Sequence, residues 1–166
     1  MPSVSEWKVP AAQQPKPEDY GFDLDQALSS IVGLRCLVPS DAFSAQTLGT
    51  ERMGNGVIIR PNGLVLTIGY LVLEAEAIAV TSSAGRTVPA TLAAYDHASG
   101  FGLLKLTAPL GGTPIALGSA AALAERDPAM VISAPAREGA NIVRVASRRP
   151  FSGSWEYMLD SAIFTS

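Results

Sequence analysis

Residues 54–72 limit most narrowly what this chain can become. They read Gly-Asn-Gly-Val-Ile-Ile-Arg-Pro-Asn-Gly-Leu-Val-Leu-Thr-Ile-Gly-Tyr-Leu-Val. Two apolar runs flank Pro61-Asn62-Gly63. The proline presets φ for the first central turn position, asparagine suits the next, and glycine takes positive φ at no steric cost. The stretch therefore predicts a β-hairpin. Residues 57–59 and 64–66 are apolar at every position, not at alternate ones. Both faces of the hairpin are accordingly expected to be covered, as in a barrel or a sandwich.

Further apolar runs bounded by turn residues extend the pattern on either side. Residues 31–38 read as a strand, followed by a polar loop over 39–52. Residues 77–81 read as another, and Ser82-Ser83-Ala84-Gly85 as a turn into a strand over 87–95. Pro89 cannot donate to a ladder, which implies an edge position or a bulge there. Residues 101–107 complete six candidate strands. Before them, Asp23 with Gln26 three residues later resembles a capping box, and Leu24, Leu28 and Ile31 follow at helical spacing, so one short helix is expected. Residues 1–20 are rich in proline and are expected to form an extended arm with no core of its own, from which Trp7 could dock.

Pro109, Gly111, Gly112 and Pro114 mark a boundary, because these residues break helix and ladder alike. Beyond it, residues 115–117, 129–133, 142–146 and 157–164 read as strands and 120–125 as a short helical segment. The expected organisation is an arm over 1–20, a first β unit over 21–108, a linker over 109–114 and a second β unit over 115–166.

Composition excludes several classes. With 166 residues, 48% of them hydrophobic and 16% charged, the chain can bury a sizeable core and is not disordered over most of its length. A net charge of −3 leaves no electrostatic footprint for nucleic acid. Arg144, Arg148 and Arg149 form too short a basic cluster, and read as a solvated strand edge ending in a turn at Pro150. The apolar stretch 64–80 contains Glu74 and Glu76 and breaks at Gly69, so it fails as a membrane helix, which needs ~20 predominantly apolar residues. No apolar signal segment opens the chain, which favours the cytoplasm; an export segment removed beforehand would place the protein in the periplasm instead. The single Cys36 excludes an intramolecular disulfide and reads as a small buried hydrophobe.

The hairpin also carries a family resemblance. Gly-x-Gly-Val-Ile-Ile-x-x-x-Gly-x-Val-Leu-Thr resembles the opening hairpin of trypsin-like serine proteases of the HtrA/Deg type, where Leu-Thr runs on into Asn-Ala-His-Val-Val. Here the continuation is Ile68-Gly69-Tyr70-Leu71-Val72, so the family's catalytic His position falls on Tyr70. Residues 101–106, Phe-Gly-Leu-Leu-Lys-Leu, resemble the family strand Asp-Leu-Ala-Leu-Leu-Lys-Leu from its second residue, so the catalytic Asp position falls on Gly100. Asp160-Ser161-Ala162-Ile163 resembles the Asp-Ala-Ala-Ile that leads into the nucleophile loop, and the sequence ends at Ser166 before that loop. The resemblance covers roughly residue 28 onward. It implies a mainly β, trypsin-like fold of antiparallel barrels, the first complete and the second partial.

Triad chemistry needs a nucleophile, an imidazole that takes its proton, and a carboxylate that fixes the imidazole tautomer. None of the three matched positions retains its residue. A phenol at position 70, with a reference pKa of about 10, is a feeble base at neutral pH, and Gly100 has no side chain to orient anything. The lone His97 lies on the turn Asp96-His97-Ala98-Ser99 with no serine tied to it by any motif, and a Cys36–His97 nucleophile pair has nothing that places the two together. Glu74 and Glu76 could share one side of an extended segment, but no His is nearby to complete a metal set, and a solvated loop is expected. No catalytic residue, cofactor or metal is therefore assigned.

The sequence thus reads as an HtrA-type domain without its triad, binding a protein or peptide and self-associating through its partial second barrel, with no nucleic-acid or membrane partner. One alternative is an active serine endopeptidase whose nucleophile segment lies beyond residue 166. Another is an unrelated small β-barrel module sharing the hairpin by convergence.

Overall fold

The computed structural model of the chain describes residues 8–153, 155 and 157–166; Trp7 lies outside the described residues. Among the described residues nine strands form two sheets, and the fold is mainly β as expected. Strands β1 (Ile31–Leu37), β2 (Glu51–Arg60), β3 (Leu64–Ile68), β4 (Ala77–Ser82), β5 (Thr87–Asp96) and β6 (Phe101–Leu106) close a barrel in the order β1-β2-β3-β6-β5-β4. Strands β7 (Pro128–Ile132), β8 (Ala140–Ser152) and β9 (Met158–Thr165) form an open antiparallel sheet in that order.

The β2–β3 hairpin forms at the expected turn. Gly63 takes φ +78° and donates its N–H to the Arg60 carbonyl at 3.1 Å. Its uninterrupted apolar runs meet two different cores. Ile58 and Val65, paired across the strands, point into the barrel with Val32, Leu34, Cys36, Val80 and Leu104. Val57, on the opposite face, packs against a second cluster built from Leu24, Leu28, Ile31, Ala136 and Ala140. That cluster joins helix α1 (Leu24–Leu28) to the second half of the chain. The side chain of Asp23 caps α1 by accepting the Gln26 N–H at 2.9 Å, and the buried face of this helix is Leu24 and Leu28. Burial of each such side chain contributes about 1.5–3 kcal/mol.

Several local expectations are corrected. Strand β2 begins at Glu51, and the loop before it contains a turn of helix, α2 (Ala45–Leu48). Pro89 sits in a strand paired on both sides, not on an edge, and the bulge of β5 lies later, between Leu92 and Ala94. Its carbonyl accepts from both the N–H and the hydroxyl of Thr107, each at 3.0 Å. Nitrogen and carbonyl of one strand residue face the same side, where β6 has already ended at Leu106, so the missing N–H costs no ladder bond. Residues 115–117 form no strand; Ile115 donates instead to the Ile58 carbonyl at 3.0 Å. The helical segment shrinks to a 3₁₀ turn, Ala120–Ala122. Pro150 does not end a strand, because β8 runs to Ser152 with a bulge between Arg149 and Phe151. The N-terminal arm contains 3₁₀ turns at Ala11–Gln13 and Pro17–Asp19, and is tied to the second half by Val9 N–H to the Glu138 carbonyl at 2.8 Å. Among the described residues, no helix is long and apolar enough to cross a membrane.

Candidate functional site

Strand β3 ends at Ile68 and the chain turns through the 3₁₀ segment Gly69–Leu71, which carries Tyr70. The turn is pressed onto the β5–β6 connection by glycines. Gly69 donates its N–H to the Gly100 carbonyl at 2.6 Å. A Cβ at Gly69 would collide with the Tyr95 ring, and one at Gly102 would lie 2.9 Å from a Val72 methyl. The structure thus brings the backbones at 69–70 and 100 together, although neither Tyr70 nor Gly100 offers an imidazole or a carboxylate there. Tyr70 is half-buried, with its ring against the barrel core.

Position 100 is occupied by a neighbour. Gly100 has φ +71°, and a Cβ built on it would lie 2.6 Å from both Cβ and Cγ of Tyr157. Tyr157, just before β9, therefore fills the space a side chain at residue 100 would need. Left-handed backbone and steric exclusion act together against any residue other than glycine.

His97 is exposed on the turn before Gly100, its ring 4.5 Å from that of Tyr95. Asp96 does not orient it. Its carboxylate accepts the Ser99 hydroxyl at 2.5 Å and the N–H groups of Ala98 and Ser99 at 3.2 and 3.3 Å. Those bonds, the Ser99 hydroxyl first, hold Asp96 below the usual carboxylate range. Cys36 lies wholly buried in the barrel, where desolvation pushes its thiol up to about 11 against the opposing pull of Arg52. A thiol of that kind is inert at neutral pH.

Beneath Tyr70 lies a polar cluster. Arg52 is only 4% exposed, yet four of its bonds are in place. Its Nη1 donates to the carbonyls of Tyr70 at 2.7 Å and Leu73 at 3.0 Å, its Nε to Gly49 at 3.2 Å, and its Nη2 to the Ser44 hydroxyl at 2.7 Å. Ser44 in turn donates its hydroxyl at 2.5 Å and its N–H at 2.8 Å to Glu74, which also accepts the Phe43 N–H at 3.2 Å. These bonds, led by the Ser44 hydroxyl, draw the Glu74 carboxyl below its ordinary value. Burial draws Arg52 down, with Glu74 pulling the other way. Glu74 has φ +57° and sits in a turn, so it shares no extended segment with Glu76.

Arg52 is the residue that reading the sequence missed, and a signal for it existed. Stepping back by two from the inward Ile58 passes Gly56 and Gly54 and lands on Arg52, and those glycines leave room for Val65 and Leu71. Among the described residues, no group of three or more His, Cys, Asp or Glu could hold a metal.

The profile of the trypsin-like peptidase domain matches residues 54–166. The mitochondrial serine protease HTRA2 of Drosophila persimilis is 37% identical over 113 residues, covering 58% of this chain and 26% of that protein. Serine protease PepD of Mycobacterium tuberculosis is 31% identical over 109 residues, covering 60% of this chain and 24% of that protein. The solved structure of the HtrA-type protease AlgW with a tripeptide shares the fold, with a TM-score of 0.66 at 16% identity over 84% of this chain and 43% of that one. The chain spans about a quarter of the length of the curated relatives it matches.

Proposed function

Because this chain belongs to the trypsin-like peptidase family, we propose that it is an HtrA-type member without triad chemistry, whose remaining capability is to bind protein or peptide. Membership disposes of the convergent-barrel alternative. The observation that carries the reading is the pair Tyr70 and Gly100, with Tyr157 packed where a carboxylate at 100 would stand. Without an imidazole no proton leaves a serine, and without a carboxylate no imidazole tautomer is held.

Peptide recognition is supported from two sides. A related fold has been solved with a tripeptide. The open sheet of this chain presents its outer strands β7 and β9 and the exposed apolar residues Val131, Ile142, Met158 and Ile163. An extended peptide adds to such a sheet through main-chain hydrogen bonds, with its alternate side chains against the apolar residues. A second copy of the chain offers the same kind of strand, and self-association through this sheet belongs to the same proposal.

Turnover of a fluorogenic peptide library tests the reading. The protein is expected to show no hydrolysis above background, and Tyr70→His alone is expected to restore none, because Gly100 still leaves an introduced imidazole unoriented. Turnover by the unaltered protein, abolished by a serine-directed inhibitor, would overturn it.

A further inference from the structure

The β2–β3 turn and the segment leaving β6 enclose a groove of about 540 Å³. It lies at the Leu64 end of β3, whereas Tyr70 follows the Ile68 end. Arg60 and Lys105 form part of its wall, and no Asp or Glu lines it. Arg60 pairs with Leu64, and Leu64 pairs with Lys105, across β2, β3 and β6. The two cations therefore stand in one row, two strand spacings or roughly 10 Å apart. Neither makes an ion pair among the described residues. Lys105 donates to the Asn62 carbonyl, which leaves two of the three ammonium donors unused.

In a chain of net charge −3, two cations on one groove with no carboxylate beside them repel each other, and a bound anion relieves that repulsion. The backbone supplies further donors. Among the described residues, the N–H groups of Ala108, Leu110, Gly111 and Gly112 donate to no protein acceptor. Gly111 and Gly112 both take φ +87°, and nothing lies within 4 Å of where a Gly111 Cβ would stand. Unpaired backbone N–H groups beside two cations are donors that an anion can accept from. Pro61, Pro109 and Pro114 line the same groove with fixed φ, so little ordering cost attends binding.

We propose that this groove binds a small molecule bearing an oxyanion, phosphate or carboxylate, held between Arg60, Lys105 and the N–H groups of the 108–112 segment. The proposal is independent of whether the chain hydrolyses peptides. Amide NMR titrations at low ionic strength test it, with inorganic phosphate in one arm, acetate in a second and chloride as control. Saturable shifts centred on Lys105, Gly111 and Gly112 are expected, weakened at least about tenfold by the double substitution Arg60→Gln, Lys105→Gln. A response to phosphate alone identifies a phosphoryl ligand, and a response to both anions identifies the shared oxyanion chemistry. Arg60→Gln alone, at an exposed position, is expected to weaken binding in the same direction and serves if the double variant does not fold. The absence of saturable shifts with either anion, or shifts unchanged in a folded variant, would overturn the proposal.

Discussion

At the scale of single residues, the glycine at position 100 is fixed by its surroundings. A glycine with φ +71° under the Tyr157 ring accepts a side chain only if backbone and ring both give way. The substitution Gly100→Asp is therefore expected to destabilise the fold by about 2–4 kcal/mol, roughly 1 from the left-handed backbone and the rest from overpacking. Removing the ring first should relieve the steric part. In a double-mutant cycle, Gly100→Asp is expected to cost about 1–2 kcal/mol less in a Tyr157→Ala background, read from urea midpoints. Equal costs in the two backgrounds would show that Tyr157 does not hold the position. Asp96, saturated by Ser99 and Ala98, shows why proximity to His97 makes no dyad: a carboxylate whose lone pairs are engaged by its own turn has little left with which to orient an imidazole.

At the scale of elements, what could be read from the sequence was whatever local chemistry decides. Pro61-Asn62-Gly63 set the hairpin, Asp23 and Gln26 set the start of α1, and the six apolar runs gave the six barrel strands in order. What escaped was decided by partners distant in sequence. Pro89 read as an edge or a bulge because its harmlessness depends on where β6 stops. The 115–117 run read as a strand because it is apolar, yet it makes no ladder: Ile115 alone bonds, to the Ile58 carbonyl, and Leu117 is 66% exposed. Pro150 read as a turn because a bulge, which leaves no local mark, absorbs it. Of the candidate site, Tyr70 and Gly100 were legible as positions, whereas the Tyr157 contact and the Arg52 cluster join segments far apart in the chain. Arg52 fastens the α2 loop to the turn carrying Tyr70, and its planar fork meets acceptors that a point charge cannot all reach. Arg52→Lys is thus expected to destabilise by on the order of 2 kcal/mol, because buried carbonyls of Tyr70, Leu73 or Gly49 lose their donor. Hydrogen exchange should show the change as loss of protection over 69–75. A variant as stable as the parent would show that the cluster contributes nothing to holding that turn.

At the scale of the whole molecule, a barrel with no free strand edges is joined to a sheet that has them. The second sheet shares its core with α1 and Val57 on one face and exposes Val131, Ile142, Met158 and Ile163 elsewhere. Open edges and exposed apolar area both favour pairing with another strand, at roughly 25 cal/mol for each Å² removed from water. Sedimentation at micromolar concentration is expected to show self-association that a Val131→Lys, Ile163→Lys variant loses, and a monodisperse parent would refute this. The family fold is kept, and the reading we propose is that Tyr70 and Gly100 stand at the base and orienting positions without an imidazole or a carboxylate to take or direct a proton. Its most direct test is labelling by a fluorophosphonate probe of the protein isolated from its own cells, with whatever sequence flanks these 166 residues. No stoichiometric labelling is expected under conditions that label an active trypsin-like protease fully; stoichiometric modification of a serine in this protein would overturn that reading.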